Sequence, residues 1–349
     1  MVNGGRAFHI GNESRVICQA EPKRFGFLRK NRRMECPVCD FSPSESQYQL
    51  PDRLLGDSAE LFQLYRCPNC GSVFQSMEGI RDRISQFYPE GYWWDDSGGL
   101  SRLERIYREA VVRLDHLRFL KSVFPSPDNR RLLDIGCGSA VFLKLAKEAG
   151  FDAFGLDFSE QAARLAAQEV PERVFCGTVE DLIEASEFFD ILVLLHTLEH
   201  VLDPFQYLKK IRKMVRRPGG LIIQVPNVGS YQASVLGSRW YGLDCPRHLC
   251  NFTQYSLLHL LGRCGFRIER VRHFSLRDNA AAMVSSLLPG LDPIAQRIRT
   301  RGQPTKLRKV SLAVSESFYF ALVLAIQPLA WMESKLGRGG TLTVYATLS

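Results

Sequence analysis

The chain has 349 residues, 45% of them hydrophobic and 23% charged, which is enough apolar material for a large core and excludes global disorder. A formal charge of +8 permits an acidic partner such as RNA or an anionic membrane surface without selecting one. Met1 to Gly11 lack the apolar run of a secretory signal, and ten cysteines are few for a disulfide scaffold of this length; a cytoplasmic location fits both.

Residues 1–35 form a basic extension with little apolar periodicity. Within 36–75, Cys36-Pro37-Val38-Cys39 and Cys67-Pro68-Asn69-Cys70 are two Cys-x-x-Cys turns with 27 residues between them, the pattern of a four-thiolate zinc ribbon. Four thiolates close a tetrahedron and leave no position for water, so the expected Zn2+ is structural; disulfides are the alternative. The connecting segment 76–127 opens with an aromatic and acidic stretch, Tyr88 to Asp96. It continues into an amphipathic helix marked by Ile106, Tyr107, Ala110, Leu114, Leu117, Leu120 and Phe124, and ends at Pro125 and Pro127.

From residue 128 to 275, strand and helix patterns alternate. Strands are expected at Arg131 to Gly136, Ala153 to Asp157, Val174 to Cys176, Phe189 to Leu195, Gly220 to Val225 and Arg267 to Phe274. Helices are expected at Ala140 to Ala149, Glu160 to Ala167, Phe205 to Val215 and Tyr255 to Cys264. Apolar strands separated by helices imply an α/β fold, a doubly wound parallel sheet covered on both faces. A last strand, Thr341 to Thr347, lies in the closing segment 339–349. Before it comes an apolar helical insert, 276–338, in which Arg297, Arg299, Arg301, Lys306, Arg308 and Lys309 precede the uncharged run Ser317 to Met332. That run is short of the roughly 20 residues that cross a bilayer. It reads either as peripheral membrane contact through 297–332, lying on the surface or forming a lid over a lipid-linked acceptor, or as a buried helix-pair cap.

Leu132-Leu133-Asp134-Ile135-Gly136-Cys137-Gly138-Ser139-Ala140 places two glycines between a strand end and a helix start, where a ligand can approach the backbone. Asp157, at the end of the next strand and 21 residues past Gly136, suits ribose hydroxyls. A dinucleotide site is the rival, but its third small residue would fall on Val141.

These segments, with Gly155-Leu156-Asp157, Phe189-Asp190, Leu198-Glu199-His200-Val201, Pro218-Gly219-Gly220 and Val225-Pro226-Asn227, resemble the ordered motifs of class I S-adenosylmethionine-dependent methyltransferases. They are nearest the bacterial group that includes ubiquinone-biosynthesis O-methyltransferases. The resemblance implies a Rossmann-like, seven-stranded sheet with S-adenosylmethionine as cofactor. Asp134, Gly136, Cys137 and Gly138 would surround its methionine part, Asp157 its ribose and Phe158 its adenine. Val179 and Glu180 would border the adenine beside Thr178, and His196 would sit where cofactor and substrate meet. Ala140 departs from the third glycine of many members.

Methyl transfer from a sulfonium demands mainly orientation, but a hydroxyl acceptor needs a general base, and histidine suits neutral pH. The candidates are His200 and His248. The favoured acceptor is an oxygen of a small molecule, sugar or lipid-linked compound. An RNA or protein methyltransferase guided by the ribbon, or a non-catalytic cofactor-binding domain, are the other readings. Nucleic acid is the less favoured partner, since neither a Pro-Cys pair nor an Asn/Asp-Pro-Pro-aromatic motif follows the fourth strand.

Overall fold

The two Cys-x-x-Cys segments are tight turns, each closed by a backbone bond: Asp40 N–H donates to Cys36 O at 3.0 Å and Gly71 N–H to Cys67 O at 2.8 Å. The strands between and after them, β1 (Glu45–Leu50), β2 (Phe62–Arg66) and β3 (Val73–Gln75), pair antiparallel in sequence order. This computed structural model describes residues 35–54, 60–76, 80–88, 102–300 and 306–349. The basic extension, apart from Glu35, and the aromatic stretch beyond Tyr88 lie outside the described residues.

The amphipathic rod is α1 (Arg102–Val112) and α2 (Arg118–Val123), joined by one π-turn, Arg113–Leu117, that buries Asp115 and His116. The main domain then alternates: β4 (Arg131–Ile135), α3 (Val141–Glu148), β5 (Asp152–Asp157), α4 (Glu160–Glu169), β6 (Val174–Cys176), α5 (Val179–Glu184), β7 (Phe189–Leu195), α6 (Pro204–Arg212), β8 (Val215–Pro226) and α7 (Tyr231–Leu236). After a short strand β9 (Cys250–Asn251) come α8 (Gln254–Arg263), β10 (Phe266–Arg272), α9 (Asn279–Leu287), α10 (Pro293–Thr300), α11 (Lys306–Lys335) and β11 (Thr341–Leu348).

The large sheet has seven strands in the order β10-β11-β8-β7-β4-β5-β6, and only β11 runs antiparallel to its neighbours. This is the expected Rossmann-like, doubly wound sheet. Strand order reverses between β4 and β7, and ligands of such sheets lie outside the carboxyl ends of the strands at that point. The glycine loop leaves β4 there, and His196 leaves β7.

Three features differ from the sequence expectation. Strand β8 starts at Val215 and runs through Pro218 and Gly219, where a Cβ would come within 2.3 Å of Arg216 O and glycine is required; the dipeptide is an irregular strand start, not the turn its composition suggests. The small sheet has a fourth strand, β9, paired with β3 through Val73↔Asn251 and Phe74↔Cys250, so the cysteine module shares a core with β7, β8 and α8. The insert's apolar run is also not the 16-residue piece it looks. It belongs to one 30-residue helix with Pro328 inside, and Ser311–Lys335 is long and apolar enough to cross a membrane by length and composition. Helix formation carries the apolar face past the charges that bound the run. Tyr319, Val323 and Ala330 pack on Ala280 and Val284 of α9, while Val314, Phe318, Leu324, Leu329, Trp331 and Met332 remain exposed.

Candidate functional site

The glycine loop is shaped by what touches it. Gly136 has φ +77, and a Cβ there would lie 2.5 Å from Thr197 Oγ1; the residue is glycine because the turn after β7 packs against its Cα. Thr197 Oγ1 donates to Ile135 O at 2.9 Å, fastening the two strand ends together. Gly138 (φ +51) donates its N–H to Asp157 Oδ2 at 3.0 Å, and Ser159 N–H donates to Oδ1 at 2.9 Å. Cys137 turns its side chain against Gly155, so its backbone faces the loop. Ala140 tolerates φ +59 at the head of α3.

Two buried carboxyls lie under this loop. Burial, with Asp157 nearby, pushes Asp134 up to about 8. Burial pushes Asp157 up to about 6 against the N–H groups of Ser159 and Gly138. Burial and Asp157 are what raise Asp134, with no cation among the described residues acting against them. Phe158 is exposed and meets the Tyr88 ring edge-on at 6.1 Å. Val179 is buried in the main core, while Glu180 accepts from Lys210 Nζ at 2.5 Å.

The turn after β7 carries His196 and His200. His196 (φ +57) lies between two carboxylates, with Nδ1 3.2 Å from Glu199 Oε1 and Nε2 3.0 Å from Asp278 Oδ2. Burial alone would lower its pKa; Asp278 and then Glu199 reverse this and hold it at about 10, a fixed imidazolium. Asp278 comes from the start of the insert and is tied by Ser275 Oγ (2.7 Å) and Gln224 Nε2 (3.0 Å). Ser275 Oγ also lies 2.6 Å from Asp115 Oδ2, beside His116, whose buried ring is pushed down to about 4 by desolvation.

His200 Nδ1 is 3.0 Å from Arg247 O and 3.1 Å from the Tyr88 hydroxyl. A carbonyl only accepts, so Nδ1 carries the proton. Burial and then His248 push His200 down to about 4. His248 Nδ1 lies 2.7 Å from Gly242 O, which by the same reasoning leaves its Nε2 as an acceptor. A ring nitrogen of His200, one of His248 and a carboxylate oxygen of Glu199 fall within 4.8 Å of one another. This corner is rich in acceptors, and Glu199 Oε2, fully buried, meets no donor among the described residues. Phe158, Tyr88, His200 and His248 form a continuous chain of rings from the end of β5 to this corner. Sequence reasoning named Tyr88 without a role and missed Asp278, Asp115, His116 and Thr197, each of which has a partner distant in the chain.

The four cysteines converge, as their spacing requires. Cys36 Sγ is 3.6 Å from Cys70 Sγ and Cys39 Sγ 3.5 Å from Cys67 Sγ, and all four sulfurs lie within 4.8 Å of one another. These separations are too long for disulfides, near 2.05 Å, and suit the edges of a tetrahedron with about 2.3 Å metal–sulfur bonds. Ser72 Oγ lies 3.3 and 3.1 Å from Cys36 and Cys70, and Asn69 Nδ2 donates to Cys39 at 3.4 Å. The Cys70 sulfur and burial both push the Cys36 thiol up, so a cation is what this set needs in order to ionise.

Comparison with known proteins gives the same reading. A family model described as a methyltransferase domain matches residues 104–271. The ubiquinone biosynthesis O-methyltransferase of Azorhizobium caulinodans is 30% identical over 202 residues, 51% of this chain and 77% of that protein. The protein of the same name from Parvibaculum lavamentivorans is 32% identical over 143 residues, 37% of this chain and 55% of its own length. The chain thus spans little more than half of that relative, and 65% of the one from Cereibacter sphaeroides. Among solved structures, an Archaeoglobus fulgidus SAM-dependent methyltransferase is 19% identical, covers 68% of this chain and 94% of its own, and has a TM-score of 0.44. With its glycine loop, acidic strand end and sheet order in place, the chain belongs to the class I S-adenosylmethionine-dependent methyltransferases.

Proposed function

We propose that the chain transfers a methyl group from S-adenosylmethionine to a hydroxyl oxygen of a small-molecule, sugar or lipid-linked acceptor. The observation that carries this is the acceptor-rich corner of Glu199, His200 and His248, joined by the ring chain to the cofactor side. An acceptor hydroxyl entering it supplies a donor for Glu199 Oε2 or His248 Nε2. The names of the curated relatives support oxygen as the methylated atom.

The residues present fit the cofactor. Asp134 would face its cationic end, Gly136 and Gly138 would let it approach the backbone, Asp157 would take the ribose, and Phe158 with Tyr88 would flank the adenine. Bound there, the cofactor supplies an electrophilic methyl group. The chain's own part is orientation and proton handling: His196, held charged by Asp278 and Glu199, fixes the turn, and His248 takes the acceptor proton at Nε2. His200, held neutral by burial, shapes the pocket with Tyr88.

Calorimetry tests the cofactor side. Asp157→Ala should weaken S-adenosylmethionine and S-adenosylhomocysteine by about 10- to 150-fold, the worth of one lost charged hydrogen bond. A cationic ligand beside Asp134 draws its carboxyl back to the ionised form, so binding releases a proton. Affinity should therefore rise with pH up to about 8 and fall by up to about tenfold per unit below it. No detectable binding, with Asp157→Ala behaving as wild type, would sink the assignment.

The cysteine cluster is read as a structural four-thiolate Zn2+ site. The exposed face of α11 is read as a peripheral membrane contact in the cytoplasm. From Ser311 to Met332 that face carries no charged side chain, and Trp331 with Lys335 stacked over it (5.2 Å) makes an interfacial anchor at its end. Leu324→Glu should reduce sedimentation with anionic vesicles by about 10- to 100-fold in affinity, the value of one buried apolar side chain. Retention on RNA that weakens steeply with salt, with no vesicle binding, would instead favour a nucleic-acid acceptor.

A further inference from the structure

The cysteine cluster and the proposed base lie far apart in sequence and are joined by one strand. The second knuckle runs directly into β3, whose open edge pairs with β9 through Val73↔Asn251 and Phe74↔Cys250. Gln75, buried, extends this contact. Its N–H donates to Leu249 O at 3.2 Å, its Nε2 to Pro246 O at 2.5 Å, and its Oε1 accepts from Cys245 Sγ at 3.5 Å. On the other side of the same segment, Leu249 N–H donates to Glu199 O at 2.7 Å. His248 therefore sits on a stretch clamped between β3 and the Glu199 turn. The knuckles are themselves pinned to α8: Thr253 Oγ1 donates to Cys70 O at 3.0 Å, and Arg263 donates to Val38 O and Asp40.

We propose that metal loading of Cys36, Cys39, Cys67 and Cys70 positions His248 through β3, with Gln75 as the positioning residue. The proposal rests on the zinc and base assignments above. Strands of six, five and three residues are short, and β3 meets β9 at only two pairs, so their register leans on the knuckles that flank them. A metal that crosslinks the two knuckles supplies that register, and its binding energy is folding energy for the module. Without it β3 frays, and 245–251 loses its clamp on that side. The glycine loop and Asp157, carried by β4 and β5 in the other sheet, keep theirs. Metal loss should thus disable the acceptor side and spare the cofactor side.

The test uses the full chain as purified, the same chain stripped by a chelator, and Gln75→Ala, which keeps all four cysteines. Metal analysis should find one zinc per chain in wild type and in Gln75→Ala. Amide hydrogen exchange at 245–251 should quicken by about tenfold or more in the stripped and Gln75→Ala chains, with 131–157 unchanged. In Gln75→Ala, kcat should fall by about tenfold while cofactor affinity stays within about threefold, a split that general destabilisation does not produce. Absence of metal from wild type overturns the zinc reading and the proposal with it. Unaltered exchange at 245–251 in a metal-bearing Gln75→Ala chain overturns the coupling alone and leaves the zinc reading standing.

Discussion

Arg247→Ala is expected to destabilise the folded chain by about 3–5 kcal/mol, the cost of breaking a buried ion pair from one side. Arg247 is fully buried. It donates to both oxygens of Asp52 (2.9 and 3.0 Å), to both of Asp244 (3.0 and 3.1 Å) and to Phe87 O (3.2 Å). Asp244 is shared with Arg53, which also reaches Asp292 in the insert at 2.5 Å. Three parts of the chain, the cysteine module, the loop after β8 and the insert, meet on these two guanidinium groups. Removing Arg247 takes five hydrogen bonds out of this buried network, and the melting temperature should fall by roughly 10 °C. Arg247→Lys should recover little, because one ammonium cannot replace a planar fork. Burial opposes the ionised Asp244, but Arg247 and Arg53 hold it well below the usual carboxylate range. Stability from this pairing is therefore present above the unfolded pKa of about 4 and is lost as pH falls below it. The difference between wild type and Arg247→Ala should narrow in acid. Denaturant melts at neutral and low pH check both statements, and equal midpoints at neutral pH would refute the first.

His248→Ala should lower kcat by about 10²- to 10⁴-fold on a hydroxyl acceptor, the usual worth of a general base. Cofactor affinity should change by no more than about threefold, since the substitution leaves the glycine loop and Asp157 untouched. His200→Ala should cost less in kcat, because a ring held neutral by burial, with its Nδ1 proton given to Arg247 O, contributes shape and tautomer order. Single-turnover methyl transfer with the two variants separates the roles. A larger loss in His200→Ala would exchange them, and full turnover in both would turn the reading toward a cofactor-binding domain without catalysis.

Local patterns made most of the scaffold legible. Val174–Cys176 and Phe189–Leu195 coincide with their apolar runs because buried parallel strands must be apolar on both faces. The glycine loop was readable because Gly136 and Gly138 adopt positive φ, a demand that few side chains meet. The start of β8 was hidden because Pro218-Gly219 has the composition of a turn. The length of α11 was hidden because Pro328 and the flanking charges interrupt hydropathy but not the helix. The site was legible only in part. His196, Glu199, His200 and Asp157 occupy short motifs, but Asp278 reaches His196 across 82 residues and Tyr88 reaches His200 across 112. No periodicity records such a contact. The π-turn that buries Asp115 and His116 is likewise a property of the backbone, not of composition.

The pairing of β3 with β9 sets an order of events during synthesis. Phe74 meets Cys250, a partner made 176 residues later, so at about 5–20 residues per second the N-terminal module waits on the order of ten to thirty-five seconds after leaving the ribosome. During that interval the edge of β3 is an open strand, the feature that templates misassociation between chains. A metal captured by the knuckles at this stage would give a nascent chain its first fixed point, and the large sheet would then close onto a prepared edge.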